Sequence, residues 1–444
     1  MVEGGTEPTG ERNRVPTSDS DYERIGRKLK TGFKFYTGRW TLLSVATLFY
    51  WIATQALRPY MSLHLTDLGA SETQIGLAIA AHPFLSMFLA IPAGRLLDER
   101  GIRKYLVVSL VLMSLVGAGY AVAGTVAHIF ILQMAAGLSE LGAWVAIQTL
   151  ITQAGEGETR ARHLALFSLM WGVGIALGPS IGAWLYDSAQ FPALAALYGG
   201  CSLAALAAVA GVPYRDSTRP APLLGDSAPR TTTERLLAMA RRPSVLAVLI
   251  ASFVTLWANS LRTSFYPIFL VENGASLRLI GFLISLAGVT TLIIRIPLPW
   301  LLRRFRSGLL LVLAVTALVV ALTATPLLRG SGVALAIASA VFGLGFGLAN
   351  PLTLELMTQH TQVNERGLAM GMRVAANRVA QVLQPIAFGV VAGPFGMATG
   401  FLSAGLVMAG GTAWTAVATR NAGRERTSEG TSVEPMGPDP DFLE

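Results

Sequence analysis

Residues 91–104 read IPAGRLLDERGIRK, and residues 296–307 read IPLPWLLRRFRS. The two stretches share Ile-Pro and Leu-Leu at a constant offset of 205 positions. The offset holds upstream, where Gly69-Ala70-Ser71 meets Gly274-Ala275-Ser276 and Ile75-Gly76 meets Ile280-Gly281. Nine identities in one register, spread over a loop and the apolar segment after it, mark an internal duplication. The first copy also concentrates charge: Arg95, Asp98, Glu99, Arg100, Arg103 and Lys104 fall within ten positions.

Elsewhere the chain is poor in charge. Its 444 residues are 52% hydrophobic and 14% charged, with a mean hydropathy of +0.54. A soluble globular chain carries about 25% charged residues, so the deficit points to lipid as the solvent. Cys201 is the only cysteine, which excludes an intrachain disulfide. Residues 1–39 are polar and basic with no apolar segment, so no cleavable signal is expected and the stretch reads as a disordered arm.

A membrane-crossing helix needs about 20 mostly apolar residues. Windows of that kind fall near 40–61, 73–96, 105–124, 128–151, 162–186, 192–212, 245–270, 279–302, 308–327, 332–357, 366–391 and 396–419. The expected fold is an all-α membrane protein of twelve transmembrane helices in two pseudo-symmetric six-helix bundles, 40–212 and 244–419. A central loop, 213–243, joins them, and 420–444 forms a disordered tail. With an even number of spans both termini share a side. The loops on that side carry 27 of the 34 Lys and Arg residues, against Arg278 and Arg329 opposite. That bias places arm, central loop and tail in the cytoplasm. It also accounts for the net charge of +8 without a nucleic-acid partner. Parallel halves with a site between them are an architecture of transporters.

The stretch GRLLDERGIRK resembles the loop motif of the major facilitator superfamily, Gly-x-Leu-x-Asp-Arg-x-Gly-Arg-Lys/Arg. Gly94, Leu96, Asp98, Gly101 and Arg103 match; Glu99 and Ile102 stand where basic residues are usual. The resemblance covers about residues 40 to 420. It implies a gating loop in which Asp98 latches the cytoplasmic side, with Arg160, Arg366 and the start of span 11 as partners. In span 5, GVGIALGPSIGA, with Gly174, Gly178, Pro179 and Gly182, is similar to the motif of antiporters of this superfamily, notably drug/proton exchangers. A plainer reading of the same residues is close helix packing through small side chains plus a proline bend. Span 4 departs from the pattern of proton-coupled members: Gln133 stands where an Arg is usual, four residues before Gly137.

Ionisable residues inside spans cost about 2.5–3.5 kcal/mol on insertion scales and mark functional sites by default. In span 4, Gln133, Gly137, Glu140, Trp144 and Gln148 share a face about 80° wide at about 100° per residue. Glu140 is expected to bind a proton or a positive group of the substrate; a structural ion pair is the rival account. In span 11, Arg373, Asn377, Gln381 and Gln384 share another such face, with Arg378 offset from it. These arginines are read as an anion site or as counter-charges for Glu140. Arg58 in span 1 and Arg262 in span 7 hold nearly equivalent places in the two halves. An outer gate, substrate contact or anchoring at the interface all fit them. Trp257 and Asn259 of span 7 and Tyr50, Trp51 and Gln55 of span 1 suit the wall of a flat solute. Arg295 and Glu355, near the cytoplasmic ends of spans 8 and 10, are read as gate or structural ion-pair residues, and His82, before Pro83, is a titratable kink partner.

No phosphate loop, metal-ligand spacing or catalytic cluster stands out, so an enzyme is not expected and no metal is assigned. The reading is a secondary transporter that moves a small organic solute by proton-driven efflux, with an ion gradient in place of a cofactor. Its expected partners are the lipid bilayer and the solute, and it is expected to act as a monomer in the inner or plasma membrane. The alternatives are an organic-anion uniporter or symporter, and a transport-inactive sensor or scaffold on the same fold.

Overall fold

The computed structural model describes residues 39–152, 157–210, 232–362 and 365–430. Among these residues every regular element is a helix. The first half contains α1 (Arg39–Asp67), α2 (Glu72–Arg100), α3 (Ile102–Val122), α4 (Val126–Thr152) and α5 (Gly157–Ala210). A short α6 (Thr232–Ala240) lies in the linker. The second half contains α7 (Pro243–Glu272), α8 (Leu277–Ile293), α9 (Leu298–Arg304), α10 (Ser307–Thr323), α11 (Thr325–Leu328), α12 (Gly332–Gln359), α13 (Arg366–Phe395) and α14 (Met397–Gly430).

The duplicated letters fold into duplicated turns. After α1, Gly69 takes φ 77 and the Ala70 amide donates to the Leu65 carbonyl at 3.0 Å. After α7, Gly274 takes φ 80 and the Ala275 amide donates to the Leu270 carbonyl at 2.9 Å. Both are helix ends closed by a left-handed glycine, a conformation that costs a residue with a Cβ. Ser71 and Ser276 then cap the next helices, accepting from the amides of Gln74 and Leu279.

Several expected spans take a different shape. Spans 5 and 6 appear as the single element α5, broken at Gln190, whose φ of 62 leaves the helical region two residues before Pro192. The second IP stretch does not continue its helix as the first does. α8 and α9 meet at a 59° bend, where Pro297 and Pro299 remove backbone donors. The expected span 9 is divided into α10 and α11, the central loop holds α6, and α14 runs past position 419 to Gly430. Among the described residues, eight helices are long and apolar enough to cross a membrane, nine with the bent α8–α9 pair. Most of the expected N-terminal arm and the chain beyond Gly430 lie outside the described residues.

In the first half α1 packs on α5, α3 on α4 and α5, and α2 on α4. In the second, α7 packs on α13 and α14, α10 on α12 and α14, and α8 on α12. The halves meet through α2–α13, α5–α8 and α1–α7. Small residues make these joints. A Cβ at Gly76 would meet the Pro385 carbonyl, one at Gly389 the Glu72 backbone, and one at Gly281 the Ala183 side chain. Thr73 donates to the Gly389 carbonyl at 3.2 Å, the Ser180 hydroxyl to Ser285 Oγ at 2.8 Å, and Arg278 to Asp187 at 2.9 Å. All of these lie toward the face that carries the turns at Gly69, Gln190 and Gly274. Exposed along the sides of the helices are apolar residues such as Leu115 (63%), Ile337 (61%) and Leu406 (75%). That suits contact with hydrocarbon rather than water.

Candidate functional site

A cavity of about 240 Å³ opens between the halves, walled by α1, α2, α3, α4, α7 and α13. Its chemistry centres on Glu140, whose side chain is 5% exposed. Oε2 accepts from Arg58 Nη2 at 2.5 Å and lies 3.1 Å from His82 Nε2. Oε1 accepts from the Tyr198 hydroxyl at 3.0 Å, and the Tyr50 hydroxyl donates to the Glu140 carbonyl at 3.1 Å. Nearby, Tyr120 donates to Gln133 Oε1 at 2.9 Å. Four helices therefore converge on one carboxylate. Gly137 makes the convergence possible: a Cβ there would overlap the His82 carbonyl, so its absence lets α4 press against α2 one turn from Glu140.

The span-5 motif shapes the neighbouring wall. Cβ atoms at Gly174, Gly178 and Gly182 would meet Trp51, Gln55 and Ala56 of α1, and the Pro179 carbonyl accepts from Tyr60 at 2.7 Å. These contacts hold α5 hard against α1, the helix that carries Tyr50, Trp51 and Arg58. The aromatic wall follows from that packing. Trp144 meets Trp51 edge-on at 5.1 Å between centroids and stacks on Tyr50 at 6.0 Å.

Of the face read on span 4, Gln133, Gly137, Glu140 and Trp144 line the cavity, while Gln148 is exposed outside it. The counter-charge is corrected. Arg58 holds Glu140, and Arg378 does not; Arg378 Nη1 donates to Gln381 Oε1 at 3.1 Å. The face read on span 11 splits. Gln381 and the offset Arg378 line the cavity. Arg373 turns to α12, donating to Asn350 Oδ1 at 2.9 Å and Thr353 Oγ1 at 3.2 Å. Gln384 is fully buried and accepts from Ser264, and Asn377 lies outside the lining with Oδ1 buried and unpartnered. A helical wheel gives the face but not the neighbour each residue meets.

Arg262 is corrected too. It does not line the cavity. It is 4% exposed, donates to the Leu283 carbonyl at 2.8 Å and lies over the rings of Tyr266 and Phe342 at 4.8 and 4.6 Å. Trp257 is buried against Phe253 and is also outside the lining, whereas Asn259 lies within it. Arg295 and Glu355 do not pair. Arg295 sits over Trp171 at 4.9 Å, and Glu355 accepts from Gln359 at 2.8 Å. In the gating stretch, Gly101 takes φ 87 between α2 and α3, and Arg103 donates to the Ala210 carbonyl at 3.2 Å. The side chains of Gly94 and Asp98 lie outside the described residues, and Arg160 and Arg366 are exposed.

Reading the sequence did not single out Tyr198 or Tyr120, nor assign His82 to Glu140. The available signal was the tyrosines' depth: a mid-span hydroxyl needs an acceptor, and few acceptors exist in these helices.

Residues 43–385 match the family model of the Major Facilitator Superfamily. The chain belongs to that superfamily. Two relatives agree. A Bacillus subtilis protein, "Uncharacterized MFS-type transporter YqjV", is 25% identical over 60% of this chain and 65% of its own length, just under two thirds of it. Multidrug resistance protein MdtH of Aeromonas salmonicida is 24% identical over 75% of this chain and 82% of its own. Among solved structures, the nucleoside transporter NupG superposes with a TM-score of 0.73 at 12% identity, covering 86% of this chain and 99% of NupG. That identity speaks to the fold alone. This member of the superfamily is a multi-pass integral membrane transporter and not an enzyme.

Proposed function

We propose that this transporter exports a small organic solute by proton-driven alternating access. The observation that carries the reading is Glu140, buried against the cavity with Arg58 at 2.5 Å and His82 at 3.1 Å. A carboxylate at membrane depth that shares hydrogen bonds with an arginine, a histidine and a tyrosine can exchange its proton without facing lipid. The departure at Gln133 gains a physical account: the permanent charge usual in span 4 is supplied here by Arg58 from α1. Protonation of Glu140 would release Arg58 toward the cavity, which links ion occupancy to the solute site. The names of the multidrug resistance relatives support the export direction.

The same reading takes the helices as twelve spans in two bundles. To the eight apolar helices it adds α2, the bent α8–α9 pair, the limb of α5 beyond Gln190, and α10. It takes the closed joints at Gly76–Pro385, Ser180–Ser285 and Asp187–Arg278 as the sealed outer gate of a monomer. Both termini then face the cytoplasm across the inner membrane, and an ion gradient drives the cycle without a cofactor.

The test is transport in proteoliposomes under an imposed pH gradient. The panel is 2-naphthoate, 2-naphthamide and 2-naphthylmethylammonium. At least one solute should move uphill against its own gradient. In Glu140→Gln that movement should fall to the passive leak, while solute-for-solute exchange continues. Uphill movement of wild-type size in the variant would refute the role of Glu140.

A further inference from the structure

The cavity holds more positive charge and more hydrogen-bond donors than its own walls can use. Three charged side chains line it: Glu140, Arg58 and Arg378. Glu140 is neutralised by Arg58 at 2.5 Å. Arg378 is left with only a neutral partner, Gln381 Oε1 at 3.1 Å, and no carboxylate among the described residues pairs with it. The lining therefore sums to one positive charge with His82 neutral. Two buried polar atoms of the lining have no hydrogen-bond partner, Trp51 Nε1 and Arg58 Nε, and both are donors. Buried donors without acceptors are costly, so the occupant that best fits brings acceptor atoms and a negative charge. In the same lining, Tyr50, Trp51 and Trp144 form a wall of ring faces and edges. A cavity of about 150 Å³ accepts benzene, so about 240 Å³ suits one or two fused rings.

We infer that the solute is a planar aromatic monoanion, its carboxylate on Arg378 and its ring against Trp144. The inference rests on the transport site proposed above and names the chemical class that site takes. Arg378 is suited to the task because its planar fork binds a carboxylate through two parallel hydrogen bonds. While Glu140 is ionised Arg58 stays paired with it, which leaves the carboxylate of the solute to Arg378.

The experiment measures equilibrium binding to the purified full-length protein in detergent, with 2-naphthoate, 2-naphthamide and 2-naphthylmethylammonium as probes. These share a ring and differ in charge. The anion should bind roughly 10- to 100-fold more tightly than the amide, as expected for hydrogen bonds to a charged group. The cation should bind more weakly still. In Arg378→Gln the preference for anion over amide should collapse toward 1, and Arg378→Lys should restore part of it. Trp144→Ala should weaken anion and amide alike. Equal binding of the three probes, preference for the cation, no binding of any, or a preference unchanged in Arg378→Gln would each overturn the inference. The comparison among probes on the wild-type protein stands even where a variant fails to fold. Failure here is separable from failure of the proton reading. If Glu140→Gln keeps its pH-driven transport while the anion preference holds, the proton role falls and the solute class stands; the reverse pair of results separates them the other way.

Discussion

Arg58 and Arg262 each follow a leucine at nearly equivalent places in the two halves, yet they end in opposite environments. Arg58 reaches across to Glu140 of α4, and both line the cavity. Arg262 lies inside the second half, over the rings of Tyr266 and Phe342 and against the Leu283 carbonyl. α12 packs on α8 through Gly343 and Gly347 and on α10 through Gly345, none of which brings a carboxylate. Each half carries an arginine near this place, and only Arg58 is paired with an acid. A fixed cation can be satisfied by ring quadrupoles and a carbonyl. A proton carrier needs a carboxylate. Under the proposed function, the asymmetry gives the titrating role to the first half and leaves the second half to supply Arg378 from α13.

The harshest way to break this comparison is to strand Glu140. Arg58→Met leaves a buried carboxylate without its cation, which costs about 3–5 kcal/mol when nothing compensates. His82 at 3.1 Å can take up a proton and soften that loss, so the expected destabilisation is about 3 kcal/mol, read from thermal unfolding in detergent. Adding Glu140→Leu should recover most of it while transport stays lost. A double variant no more stable than the single one would show that the pair is not the source of the cost.

Gly137→Ala attacks the approach rather than the charge. The new methyl would meet the His82 carbonyl, and overpacking of this kind costs about 1–3 kcal/mol. The expectation is a loss near 2 kcal/mol together with weakened uphill transport, because α4 must retreat from His82. Transport and unfolding indistinguishable from wild type would show that the helices separate freely at this point.

These residues also show what the sequence could reveal. The face of span 4 was readable because 3.6-residue periodicity gathers Gln133, Gly137, Glu140 and Trp144 whatever their neighbours. The turns at Gly69 and Gly274 were readable as a repeat because each needs a glycine at one position. Partner choice was not readable. Glu140 lies 82 residues from Arg58 and 58 from both His82 and Tyr198. Nothing local in the chain ranks Arg58 above Arg378, and the choice is made by rotation and approach of whole helices. The 59° bend between α8 and α9 was hidden for a related reason. Prolines are tolerated inside membrane helices, so Pro92 in unbroken α2 and Pro297 at the break look alike as letters.

A milder comparison concerns the two duplicated caps. Ser71 both accepts from the Gln74 amide and has its own amide bonded to Gln74 Oε1 at 3.0 Å, a full capping box. Ser276 makes only the first of these bonds, because Leu279 stands at the third position. Loss of a cap costs about 1 kcal/mol. Ser71→Ala and Ser276→Ala should both lower the unfolding temperature by a few degrees, the first slightly more. A larger loss at Ser276 would contradict the geometry.

The smallest effect is expected at Arg262, and it separates the two halves most sharply. Replacing a buried charged group by an apolar residue of similar volume is often neutral or stabilising, since the desolvation cost of the charge disappears. Against that, Arg262→Met gives up one hydrogen bond and two ring contacts, each of the latter about 0.5–2 kcal/mol. The opposing effects nearly cancel, so stability should change by less than about 1 kcal/mol. Because Arg262 does not line the cavity, pH-driven transport should persist where Arg58→Met abolishes it. A transport-dead Arg262→Met protein of normal stability would show that the second arginine takes part in the cycle, and the division of labour between the halves would fail.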